Sequence, residues 1–134
     1  MLADAKLIAF AATADACRAR DFYCGLLGLT EIEESEFALV LDANGVELRL
    51  QKVAQVVSPA YTSLGWQVAS IGEVLRGLRD KGVVAQRYDF LDQDEDGIWQ
   101  SPSGAAIAWF RDPDGNLLSL TQHAVASDAG MKEA

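Results

Sequence analysis

The run ELRLQ, residues 47–51, sets a carboxylate and a guanidinium two positions apart. On an extended chain alternate side chains share a face, so Glu47, Arg49 and Gln51 point the same way. Held together, the two charges neutralise each other. Held apart, one of them is open to a ligand's amine or carboxylate, or Glu47 serves as a general base. By itself the run reads equally well as an amphipathic strand with its polar face in water. Other reactive side chains are few. The single histidine, His123, sits near the end of the chain away from other donors and reads as a solvated strand-end residue. Cys17 and Cys24 fall in one helical stretch, where seven residues separate their Cα atoms by about 10 Å, too far for a disulfide. Two free thiols fit a reducing compartment, and the cytoplasm is the expected location.

Composition narrows the classes further. A chain of 134 residues, half of them hydrophobic, is one ordinary domain with a sizeable core. Its net charge of −9, without a basic stripe, disfavours nucleic acid and anionic membrane surfaces as partners. The start, KLIAFAATADA, faintly resembles a signal peptide. Its apolar run is short and alternates, which suits a strand better. No stretch is long and apolar enough to span a bilayer.

The elements that must position these residues follow one order, used twice. Leu7 to Thr13 predicts a strand. Asp15 then caps a helix with Ala19, Phe22, Tyr23 and Leu26 on its apolar face, and Gly28 ends it. Three strand-like runs follow, Glu31 to Glu34, Phe37 to Leu41 and Val46 to Lys52, the last two joined by the turn DANG. In the second half Leu64 to Ala69 predicts a strand, and SIGE, Ser70 to Glu73, a capping box. The helix after it carries Val74, Leu75 and Leu78 and stops at Gly82. Val83 to Tyr88, Ala105 to Phe110 and Leu117 to Thr121 predict three more strands, the last two joined by DPDG, where Pro113 and Gly115 suit a three-residue hairpin. The caps Asp15 and Ser70 stand 55 residues apart and the glycines 54 apart, the mark of a duplicated unit. The acidic stretch from Phe90 to Gly104 is an insertion. Its charges suit a solvated loop, while Trp99 within it calls for burial. From Ala124 on there is no pattern, and residues 125–134 are expected to form a flexible tail.

A tandem βαβββ pair with DFYCGLLGL in its first helix and WFRDPDGNLLSL near its end resembles the vicinal oxygen chelate superfamily, which includes glyoxalases, extradiol dioxygenases and bleomycin-binding proteins. The resemblance covers nearly the whole chain. It implies an α+β domain over residues 1–124, with modules at about 5–53 and 62–123 whose curved sheets form a cup around a site. It also implies a homodimer in which one chain's first module faces the other's second. Enzymes of the superfamily hold a divalent metal through one residue on each module's first strand and one on each last strand. The matching positions here are Ile8, Ser63 and Ser119, together with Glu47 or, counting from the turn glycine, Arg49. At best one of these is a strong ligand, whereas divalent metals need three or four nitrogen, sulfur or carboxylate donors. The resemblance therefore implies a cup without a metal.

Strand alternation around that cup points inward Ile8, Phe10, Glu47, Arg49, Gln51, Ser63, Gln67, Ile107, Trp109, Ser119 and Thr121, with Trp99 as a candidate from the insertion. Trp66 faces the other way, and the hairpin sets Trp109 opposite Ser119. The reading that follows is a homodimeric protein binding a small, partly aromatic molecule, with no cofactor and with neither nucleic acid nor membrane as a partner; a protein-binding role, with the acidic insertion docking a basic partner, ranks last. The alternative is a glyoxalase-like lyase or ring-cleaving dioxygenase with atypical metal ligands anchored on Glu47 and His123.

Overall fold

The computed structural model describes residues 1–124; the expected tail, 125–134, lies outside them. The chain divides into two compact units, Met1–Leu64 with Arg111–Leu118, and Gly65–Phe110 with the residues from Ser119 on.

Strand β1 (Ile8–Thr13) leads through Asp15 into helix α1 (Ala16–Arg20), which continues as a π-helical turn over Asp21–Leu26. The Asp15 carboxylate accepts from the Arg18 backbone N–H, satisfying a donor that the helix leaves unpaired. Gly28 follows with φ +85°, the left-handed conformation in which glycine ends a helix without steric cost. Strands β2 (Thr30–Glu34), β3 (Ala38–Ala43) and β4 (Val46–Lys52) complete the first sheet in the order β1-β4-β3-β2. β1 pairs parallel with β4, while β2–β3 and β3–β4 are antiparallel. One face of this sheet buries Leu39, Leu41, Leu48 and Leu50, and α1 with its π turn buries Ala19, Phe22 and Tyr23. Each large side chain so buried contributes about 1.5–3 kcal/mol. Leu26, expected on the same helical face, is only half-buried, since the π turn shifts the stripe.

The second half repeats the order. β5 (Leu64–Gln67), α2 (Ile71–Asp80), β6 (Trp99–Gln100), β7 (Ala106–Arg111) and β8 (Leu117–Gln122) give a sheet ordered β5-β8-β7-β6. First, fourth, third, second is the same arrangement as in the first sheet, as the internal repeat requires. Buried side chains come from Ile71, Leu75 and Leu78 of α2 at helical spacing, and from Ala108, Phe110 and Leu120 of the strands.

Two expectations are corrected here. Val83 to Tyr88 forms no strand. The segment meets β7 through the backbone bond from Gln86 N–H to Trp109 O, and its Tyr88 N–H goes to the Gln93 side chain. The short β6 inside the insertion takes the ladder place beside β7, pairing Trp99 with Ile107. The capping box at Ser70 does not form either. Ser70 makes no side-chain cap bond, and the Ile71 N–H is satisfied by Gln122 Oε1, 51 residues away.

Candidate functional site

In the first unit the register of β1 on β4 sets Ile8 beside Glu47, Phe10 beside Arg49 and Ala12 beside Gln51. The expected residues of this sheet therefore share one face, opposite the buried leucines. Ile8 and Phe10 are 43% and 51% exposed, so this face carries uncovered apolar surface within the chain. Arg49 Nη1 donates to Glu47 Oε2 at 3.0 Å, so the two charges neutralise each other. At about one-third exposure such a pair adds at most about 1 kcal/mol of stability.

In the second unit Trp99, Ile107, Trp109, Ser119 and Thr121 share the opposite face to buried Ala108, Phe110 and Leu120. The hairpin explains the register. Asp112 N–H bonds to Asn116 O, Gly115 adopts φ +90°, and strands 106–111 and 117–122 then match end for end, with Trp109 opposite Ser119. Gly65 stands beside Ser119 on β5, and Gln67 follows two residues on, exposed. Trp66, between them, is half-buried on the other face. Ser63 precedes the strand, its N–H bonded to Leu117 O.

Four rings form a ladder across this unit. Trp99 and Trp109 lie 6.3 Å apart at 33°, Tyr88 meets Trp109 edge-on at 5.6 Å, and Phe90 lies 5.4 Å from Tyr88. Such offset and edge-to-face pairs are favoured by the ring quadrupoles. The tryptophans were legible in the sequence. Tyr88 and Phe90 were not singled out, because the segment containing them reads there as an ordinary strand and loop.

The acidic insertion is folded rather than loose. Asp94 Oδ1 accepts from the N–H groups of Asp96 and Ile98, and Gln93 bonds to Gln86 O, Gly97 O and the Tyr88 N–H. The Arg87 guanidinium grips the carbonyls of Asp94 and Glu95, and Arg79 pairs with Asp96 at 3.1 Å. A small cavity of about 60 Å³ lies here, lined by Leu75, Arg79, Val84 and Asp96 among others, room for a water or two. These pairings engage the Asp94 and Asp96 carboxylates within the unit.

Divalent metal chemistry does not fit the donors. Ile8 offers no ligand atom, Ser63 and Ser119 offer only neutral hydroxyls, and the Glu47 carboxylate is already paired with Arg49. Among the described residues, no group of three or more His, Cys, Asp or Glu side chains is placed to hold a metal ion. Cys17 and Cys24 are both free, and burial pushes the Cys24 thiol above its ordinary pKa, which disfavours the reactive thiolate. No described helix is long and apolar enough to cross a membrane.

Solved structures share the fold of this chain. An antibiotic binding protein from a Streptomyces species superposes with a TM-score of 0.71 at 19% identity, covering 92% of this chain and 99% of that one. A genomically encoded fosfomycin resistance protein from Listeria monocytogenes gives 0.69 at 14% identity, covering 89% and 93%. A lactoylglutathione lyase from Agrobacterium tumefaciens gives 0.68 at 13%, again covering 89% and 93%. At these identities the likeness is one of fold. No curated protein matches the chain. The profile of the Glyoxalase/Bleomycin resistance protein/Dioxygenase superfamily matches residues 7–120, and the chain belongs to that family.

Proposed function

We propose that this protein binds a small, partly aromatic molecule without the help of a divalent metal, and that the second sheet's exposed face provides part of the site. One observation carries this reading: the ladder of Phe90, Tyr88, Trp109 and Trp99 beside the uncharged side chains of Ser119, Thr121 and Gln67. Aromatic walls with a few polar groups are the usual chemistry of small-molecule sites. The relatives named as an antibiotic binding protein and a fosfomycin resistance protein are in keeping with it. We also propose that the chain acts as a homodimer in a reducing compartment. Its β1 edge, with Leu7, Ile8 and Phe10 exposed, is the kind of surface that proteins cover, and its two thiols are free.

Titration with a library of aromatic compounds, followed by tryptophan fluorescence, tests the binding reading. Saturable quenching is expected for some of them, and Trp109→Ala should weaken their binding about tenfold, the scale of one aromatic contact. A broad library that gives no saturable change would overturn it.

A further inference from the structure

Gly65 stands inside β5, where glycine weakens a strand and often marks a place that a ligand or another backbone approaches closely. Its φ lies outside the left-handed region, so the backbone there accepts any residue. Space is what excludes a side chain. A Cβ at position 65 would lie 2.6 Å from Ser119 Oγ, well inside van der Waals contact. Glycine thus keeps the serine hydroxyl uncovered on a face walled by Trp109 and Trp99. Among the described residues none hydrogen-bonds to that hydroxyl, and Ser119 is only half-buried.

The neighbours on this face of the second unit are Gln67, Ile107, Trp109 and Thr121, none of them charged. Arg111, next along β7, donates to Gly115 O at the hairpin tip. A ligand charge set down beside Ser119 would lose water among uncharged neighbours, while the Arg111 guanidinium is held at the hairpin tip, which makes such a charge costly. A hydroxyl, by contrast, both donates and accepts, and matches a neutral oxygen of either kind. We infer that the notch formed by Gly65 and Ser119 receives an uncharged oxygen, a carbonyl or a phenol, at the edge of a planar aromatic ligand whose ring lies against Trp109. The inference rests on the aromatic-ligand reading above and adds to it the polarity of the ligand and the residues that select it.

Calorimetric titration with naphthalene, 2-naphthol and 2-naphthoate at neutral pH separates ring, neutral oxygen and charge. The wild-type protein should bind 2-naphthol about tenfold more tightly than naphthalene, the scale of one net hydrogen bond, and 2-naphthoate most weakly. Ser119→Ala should erase the preference for 2-naphthol and leave naphthalene binding unchanged. Gly65→Ala should weaken 2-naphthol in a chain that circular dichroism shows to be folded, because its Cβ crowds the Ser119 hydroxyl. Equal binding of naphthalene and 2-naphthol, an unchanged preference in Ser119→Ala, or tightest binding of 2-naphthoate would overturn the inference and leave an aromatic site standing. No binding of any of the three would overturn both.

Discussion

Tyr23 and Asp112, 89 residues apart in the chain, share a buried hydrogen bond of 2.6 Å in which the phenol donates to Oδ2. The same carboxylate accepts from the backbone N–H groups of Asp114 and Asn116 through Oδ1, and from the Asn116 amide through Oδ2. Asn116 Nδ2 also reaches the Ala12 carbonyl at the end of β1, and Asp114 Oδ1 takes the Ala14 N–H. The DPDG turn is therefore stitched to the first strand and helix of its own unit. Tyr23→Phe should cost about 2 kcal/mol, because it removes one donor from a buried charge. Asp112→Ala should cost more, since it leaves several buried donors unsatisfied. Urea denaturation measures both, and a Tyr23→Phe midpoint equal to wild type would contradict this account.

The same bond carries a pH dependence. Burial, reinforced by the neighbouring Asp112 carboxylate, holds the Tyr23 phenol well above its ordinary pKa of about 10. Above that value the unfolded chain releases the proton while the folded chain keeps it, so stability is full below about pH 10 and falls as pH rises further. Urea midpoints measured from pH 9 to 11 should decline more steeply for wild type than for Tyr23→Phe. Parallel declines would remove Tyr23 from the explanation.

Gln122 serves as the cap that Ser70 was expected to be. Gln122→Ala should destabilise the protein by about 1 kcal/mol through loss of the bond to the Ile71 N–H, whereas Ser70→Ala should stay within about 0.5 kcal/mol. The reverse ranking in thermal melts would restore the capping box.

Elemental analysis of protein made without a tag should find no stoichiometric zinc, nickel, manganese or iron. Exhaustive chelation should leave the melting temperature and ligand binding unchanged. A stoichiometric metal that disappears in Glu47→Ala would replace the metal-free reading with an enzyme built on atypical ligands.

Light scattering at micromolar concentration should give twice the 14.4 kDa chain mass. A mass near the single chain would sink the homodimer.

What the sequence by itself determined was the periodic and local part. Alternation placed β1, β4 and β8 within a residue or so, because a strand with one buried face must repeat every two residues. The spacing of Asp15 and Gly28 bounded the first helix, since cap chemistry is local. The repeat of 55 residues implied two sheets of the same strand order. Tertiary structure decided what depends on partners distant in the chain. Val83 to Tyr88 alternates well enough for a strand, yet Trp99 and Gln100 take the ladder bonds beside β7. A backbone donor goes to whichever acceptor the fold brings nearest, so Gln122 rather than Ser70 caps α2. Tyr23 reads in the sequence as an apolar helix residue, and only the hairpin's return to β1 gives its hydroxyl the Asp112 carboxylate. Gly65 gains its role only with Ser119 beside it, because the crowding at its Cβ position exists only when two strands are paired.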